Sequence, residues 1–174
     1  MVGQVSGLKP TKIINLIGWV VPATTAGYLL PQIVVNQGGS IPISPLNIII
    51  TLPLIGIILV LMAIPIFKYR KALLERAKDS SAARPLPLNP FYAVRILLLA
   101  KAISISGAIF TGWHIGVVWL QLSSPIVPSS TIQNVIALVG SVIMTVCAVI
   151  VERVCRVIDD GSGPETTITA GEPA

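Results

Sequence analysis

Long apolar segments, separated by short polar ones, make up most of the chain. Four of them contain about 20 or more mostly apolar residues each, over residues 13–35, 46–67, 96–120 and 132–151. None has the charged residue every few positions that is typical of a water-facing amphipathic helix. About 20 apolar residues in a helix cross the hydrocarbon core of a bilayer, which is about 30 Å thick. The pattern therefore predicts an all-α membrane protein, a bundle of four transmembrane helices in a lipid bilayer.

Composition supports a membrane protein over a water-soluble one. Hydrophobic residues form 53% of the 174-residue chain and charged residues only 11%, whereas soluble domains carry about 25% charged residues. We expect one membrane domain, residues 1–158, with a basic loop over residues 68–90. That loop is predicted to begin as a charged helical extension of the second span and to end as a Pro-rich linker. Residues 159–174 contain four acids and no aromatic residue, which predicts a disordered tail.

The positive charges lie on one side of the predicted bundle. The chain has 12 Lys and Arg residues. They precede the first span, lie in the loop between the second and third spans or at the span ends beside that loop, or follow the fourth span. The connections over residues 36–45 and 121–131 carry no charge. Because basic residues collect in cytoplasmic loops, we expect both termini in the cytoplasm. The net charge of +5 thus indicates membrane orientation, and we predict no nucleic-acid partner.

The first span permits a second interpretation. A basic start, a short apolar run and small residues up to Ala26 are typical of a signal peptide that is cut after Ala26. Apolar sequence resumes at Tyr28 and continues to Val35, which completes a span and favours the membrane helix. Pro22 and Pro31 then predict kinks within that helix and not its end.

Small residues recur every four positions along the third span. They are Ala100, Ser104, Ala108, Gly112 and Gly116. Such a row lets another helix approach closely, and residues 112–116 form a GxxxG sequence. The row predicts either packing against another span of the same chain or the interface of a homo-oligomer. We favour packing within the chain, because four helices must pack against one another.

Charged residues at the inner ends of the third and fourth spans could form an ion cluster. The candidates are Arg95, Lys101, Glu152, Arg153 and Arg156. Glu152 ends the fourth span at the depth where the third span begins, and an ion pair within the membrane boundary marks a functional site. The alternative is that Lys101 simply extends its ammonium group to the headgroup layer.

Other residues with reactive side chains are few. His114, the only histidine, lies where the sequence offers no acid, so we expect a hydrogen bond to a hydroxyl of a neighbouring helix and not a proton relay. Cys147 and Cys155 are predicted to be free thiols, because eight residues of helix separate them by about 12 Å. No catalytic or metal-binding motif is present, which predicts a protein that is not an enzyme and has no cofactor or metal.

The second half of the chain resembles a known family. The sequence NPFYAVRILLLAKAISISGAIFTGWHIG, followed by VERVCRV, is similar to domain of unknown function 3180, a family of small actinobacterial membrane proteins. The matching positions are Pro90, Arg95, Leu99, Ala100, Lys101, Ala102, Gly107, Gly112, Gly116, Glu152, Arg153, Cys155, Arg156 and Val157. Ile158 stands where the family has proline. The resemblance implies a location in a bacterial plasma membrane and an actinobacterial source. The family has no established activity. Because its motif contains the charged residues of both spans, the resemblance supports the ion-cluster hypothesis.

Two hypotheses about function follow. The first is a non-enzymatic scaffold or accessory subunit that acts at the cytoplasmic face, with a membrane-protein partner. The alternative is a small transporter or channel subunit that oligomerises through the third helix. It needs a polar path, for which the chain offers His114, Thr24, Thr25, Ser104, Ser106 and Thr111. An intramembrane enzyme is least favoured, because no nucleophile with its base and no metal site can be assembled from the spans.

Overall fold

The computed structural model describes residues 13–79, 89–125 and 127–159, without the side chains of Pro90 and of residues 156–159. This part of the chain forms four α-helices and no strand. They are α1 (Ile13–Asn36), α2 (Leu46–Lys78), α3 (Pro90–Leu122) and α4 (Thr131–Asp159). Each helix is long and apolar enough to cross a membrane. The prediction of an all-α membrane protein with four spanning helices is confirmed.

Three helices extend past their predicted spans at the end of the bundle that carries the charges, which we call the basic end. α2 continues to Lys78, so the predicted helical extension is confirmed. α3 begins at Pro90 and not at residue 96, because Asn89 caps it. The Asn89 side chain accepts a hydrogen bond of 3.0 Å from the N–H of Phe91, and proline suits the first turn of a helix. The predicted linker after residue 79 and the tail after residue 159 lie outside the described residues.

The opposite end of the bundle, which we call the uncharged end, contains the connection from α1 to α2. α1 continues through Pro22 and Pro31, so neither proline ends it. It ends at Asn36, and the left-handed glycine Gly38, whose φ is 83°, follows two residues later. The N–H of Gly39 donates to the carbonyl of Val34 at 2.9 Å, which satisfies one of the last free carbonyls of the helix.

α3 is the central helix of the bundle. It packs against α1, α4 and α2, while α2 also packs against α4. Within the described residues, α1 contacts no helix other than α3, although α2 follows α1 in the chain. α1 and α3 run in one direction, and α2 and α4 run in the opposite direction. Successive helices of the chain are therefore antiparallel. The attachment of α1 depends on a single helix pair.

Glycines on α3 bring the backbones of α1 and α3 into contact. A Cβ atom added to Gly116 would overlap the carbonyl oxygen of Thr24 and lie 2.6 Å from the backbone nitrogen of Tyr28. Gly112 likewise faces the backbone of α1, and Gly27 of α1 faces the backbone of Trp113. Because the neighbours are backbone atoms, no flexible side chain can move aside to make room.

The small residues of the row on α3 do not all face the same helix. All five members are buried, but Ala100 belongs to the core that α2, α3 and α4 form at the basic end, whereas Gly112 and Gly116 face α1. A row with a spacing of four turns by about 40° around the helix at each step, because one helical turn contains 3.6 residues. Its two ends therefore point to different helices. Since α1 covers the glycines, this placement favours packing within the chain over a homo-oligomer interface.

We predict that Gly116→Val destabilises the protein by about 1–3 kcal/mol, because the new side chain would push the α1 backbone away. Gly18→Val is the matched control, since an added Cβ at Gly18 meets no atom within 4 Å. The two substitutions change helix propensity equally, and thermal unfolding in detergent measures the difference between them. Equal losses would show that the contact between α1 and α3 contributes nothing.

Candidate functional site

Polar side chains are buried between α3 and α4, while the outward faces of both helices are apolar. The buried polar residues are Ser104, His114, Gln121, Thr131, Asn134, Ser141 and Glu152. Large apolar residues of α4 such as Ile136 and Ile143 are exposed on the outside of the bundle. Lipid offers no hydrogen bonds, so polar groups in a membrane protein turn inward, where they find partners.

His114 lies in a hydrogen-bonded network near the uncharged end. Its side chain is only 3% exposed. Nδ1 lies 2.7 Å from the carbonyl oxygen of Phe110 and must donate to it, because a carbonyl only accepts. Nε2 lies 3.2 Å from the hydroxyl of Ser44. The predicted hydroxyl partner is confirmed, but the prediction that it belongs to a helix is wrong: Ser44 lies in the connection between α1 and α2.

Asn134 attaches the same connection to α4. Its Oδ1 accepts hydrogen bonds from the N–H of Ser44 at 3.0 Å and from the hydroxyl of Ser44 at 2.6 Å. Its Nδ2 donates to the carbonyl of Pro42 at 3.3 Å. The connection is therefore held by two helices, α3 and α4. Sequence reasoning missed Asn134, although two amide side chains, Gln133 and Asn134, in the first turn of an apolar helix were a usable signal.

The six side chains that could form a polar path do not all meet. Thr24 and Thr25 donate to carbonyls of their own helix at 2.9 and 3.1 Å, and Ser106 is exposed. Thr111 lies between α3 and α4, 3.2 Å from the hydroxyl of Ser141. Ser104 and His114 are buried, and their spacing of seven and three residues from Thr111 puts them on the same side of α3. Three of the six thus lie on one buried side of α3, and the other three do not.

The thiols and possible metal ligands show no assembled site in the described part of the chain. No group of three or more His, Cys, Asp or Glu residues there could hold a metal ion. Cys147 is half-buried, Cys155 is buried in the core at the basic end, and both are free thiols, as predicted.

The register of α3 against α4 brings two members of the candidate ion cluster to the same depth. Thr111 contacts Ser141, and the antiparallel register carried from there toward the basic end places Glu152 level with Ala100 and Lys101. Glu152 is only 6% exposed, and Lys101 is half-buried. A pair of opposite charges at this depth would be partly desolvated.

The other three members of the candidate cluster are placed differently. Arg95 lies about 9 Å along α3 from Lys101, and its side chain is exposed. Arg153 is also exposed, and the side chain of Arg156 lies outside the described part. A cluster of all five residues stays a prediction, and Lys101 with Glu152 is the pair that the register favours.

Five exposed side chains of the α2 extension lie on one face of the helix, which we call the projecting face, while the exposed Ala77 lies beside that face. They are Lys68, Lys71, Leu74, Glu75 and Lys78. Their spacing of three and four residues puts them on one side. The ammonium of Lys71 lies 3.9 Å from Oε1 of Glu75, a solvent-exposed pair worth about 1 kcal/mol or less. Leu74 is 54% exposed among these charges.

These features define a four-helix membrane protein with small and polar residues inside, apolar residues outside and a basic helical extension at one end. A family described as protein of unknown function, DUF3180, matches residues 16–159. The chain belongs to this family, and the resemblance seen in the sequence is confirmed. No curated protein and no solved structure matches the chain.

We predict that Glu152→Gln clearly lowers the thermal stability in detergent. Removing one member of a buried ion pair strands the other charge and costs roughly 3–5 kcal/mol, whereas an exposed pair contributes about 1 kcal/mol or less. Lys101→Met added to Glu152→Gln should restore much of the loss, because it removes the stranded ammonium. Small and additive effects of the two substitutions would mean that the Lys101 ammonium lies in the headgroup layer and forms no buried ion pair with Glu152.

Proposed function

We propose that the protein is a non-enzymatic scaffold or accessory subunit that holds a partner protein at the cytoplasmic face of a bacterial plasma membrane. The positive charges would then lie inside, as in other membrane proteins. The observation that carries the proposal is the projecting face of α2. It combines three lysines with one exposed leucine on a helix that continues without a break from a membrane span.

The length of α2 supports a protein partner over the lipid surface. The hydrocarbon core takes about 20 residues of a helix, and each headgroup layer adds about 5–8 Å. If the core ends at Phe67, Leu74 and Lys78 stand about 10 and 16 Å beyond it. A helix along the membrane normal therefore presents the outer half of the projecting face to water, where Leu74 cannot reach the acyl chains.

The side chains of the projecting face indicate the chemistry of the partner. Lys68, Lys71 and Lys78 outnumber Glu75 and the adjacent exposed Asp79, so the face is positive. A complementary surface is acidic and has an apolar pocket for Leu74, as when a helix binds in a groove. We therefore propose a partner with acidic side chains around an apolar site. The proposed role involves no chemical reaction, because the protein would only hold the partner at the membrane.

The alternative, a transporter or channel subunit that oligomerises through α3, has weaker support. The glycines that would form its interface are covered by α1. Between α3 and α4, the hydroxyl of Thr111 donates to the carbonyl of Gly107 at 2.8 Å, and that of Ser141 donates to Leu138 at 2.7 Å. Hydroxyls bonded to their own helix are common in membrane helices and do not require a transport path.

A charge-reversal comparison tests the proposed function. The protein is purified in mild detergent after cross-linking in cells, and the proteins recovered with it are identified by mass spectrometry. We expect one partner to be recovered with the wild type and lost in Lys71→Glu/Lys78→Glu, because both changes reverse the charge of the projecting face. Arg95→Glu/Arg153→Glu is the control, since both arginines are exposed basic residues near the same end but outside the projecting face.

The control should retain the partner that the projecting-face variant loses. Recovery of the same proteins with all three chains would contradict docking on the projecting face. Repeated isolation of the wild type with no partner would contradict the scaffold function itself.

A further inference from the structure

We infer that the acidic C-terminal segment of this chain, residues 160–174, binds the projecting face of α2 and competes there with the partner. The regulatory meaning of this contact rests on the proposed function, whereas the contact itself does not. It assigns an occupant to a charged surface that the folded bundle leaves open. Three observations support it: the register of two helices, the charges of the segment and its length.

The register of α2 against α4 places the start of the C-terminal segment beside the projecting face. Gly56 of α2 faces Met144 of α4, and Gly140 of α4 faces Pro53 of α2, so the two helices are parallel. Each α4 residue stands beside an α2 residue numbered about 88 lower.

The core at the basic end agrees with this register. Val154 and Ile66 belong to the same buried cluster, one helix beside the other. The register carried one turn further places Asp159, the last residue of α4, level with Lys71. The chain therefore leaves α4 at the height where the projecting face begins.

The side chains of the C-terminal segment complement the projecting face. The segment carries Asp160, Glu165 and Glu172 and contains no Lys, Arg or His. Ile168 is its only large apolar residue. Three acids and one isoleucine thus match the three lysines and the leucine of the projecting face, which are the same features that we assign to the partner.

The length of the segment permits the contact without strain. The distance along α2 from Lys71 to Lys78 is about 10 Å, and 15 residues reach about 50 Å when extended. A segment joined to its binding site by a short linker has an effective concentration of about 1 mM or more, so a weak contact suffices to fill the site. Because the contact is electrostatic, salt should weaken it.

Zero-length cross-linking of the wild-type chain in detergent tests the contact. A carbodiimide couples a lysine amine to a carboxylate that touches it and takes up the water that is lost, so the product is an amide bond that mass spectrometry locates. We expect cross-links from Glu165 and Glu172 to Lys71 and Lys78 within the monomer, and a several-fold loss of them at high salt. Lys9 and Lys12 serve as internal controls, because they are lysines outside the projecting face.

Proteolysis provides a second measurement on the unmodified chain. A glutamyl endopeptidase should cleave after Glu165 several-fold faster in Lys71→Gln/Lys78→Gln than in the wild type, because the segment is released from the face. Lys9→Gln/Lys12→Gln should leave the rate unchanged, because neither lysine belongs to the projecting face. Cross-links spread evenly over all lysines, or equal cleavage rates in the three chains, would overturn the inference.

The partner experiment separates this inference from the proposed function. A chain that ends at Asp159 should recover more partner than the full chain if the segment competes for the face. Equal recovery with both chains, without the expected cross-links, would reject the inference and leave the scaffold function standing. Cross-links to Lys71 and Lys78 without any partner would support the contact and count against the scaffold function.

Discussion

Backbone contact at the glycines of α3 is the interaction on which the bundle depends. Because α1 touches only α3 within the described residues, its place is set by Gly112, Gly116 and Gly27, where backbones meet. In a bilayer, apolar side chains gain little by leaving lipid for one another, so helices associate through close packing and hydrogen bonds. Small residues make that packing possible. The same helix then serves α2 and α4 with its other faces, which makes α3 the axis of the fold.

The second constraint is that lipid cannot satisfy a polar group. It explains why His114, Asn134 and Ser141 are buried while isoleucine and valine side chains are exposed. It also explains how a short connection without secondary structure is fixed: the N–H of Ser44 donates to Asn134 of α4, and the Ser44 hydroxyl lies within hydrogen-bond distance of both Asn134 and His114 of α3. The connection between α1 and α2 is thus held by hydrogen bonds at the uncharged end, and the Lys and Arg residues of the described helices lie toward the opposite end.

The sequence predicted the elements well because apolar length alone sets a membrane span. The four helices and the charged extension of α2 followed from runs of residues that are local in the chain. The helix start at Pro90 was missed, since a polar first turn lies outside the apolar run. The partners of the small-residue row and of His114 could not be predicted from the sequence, because His114 and Ser44 are 70 residues apart and only tertiary packing brings them together. Arg95 and Arg153 were grouped with Glu152 by their position in the chain; their side chains are exposed whereas that of Glu152 is buried, and the five-residue cluster stays a prediction.

The proposed orientation puts the basic end of the bundle in the cytoplasm, with the proposed docking helix there and the two uncharged connections on the other side. Reporter fusions that distinguish cytoplasm from exterior test it most directly. Fusions after Asn36 and after Ser124 should read as external, and fusions after Ala82 and at the C-terminus should read as cytoplasmic. A cytoplasmic signal after Ser124 would contradict the four-span topology, and an external signal after Ala82 would remove the docking helix from the cytoplasm.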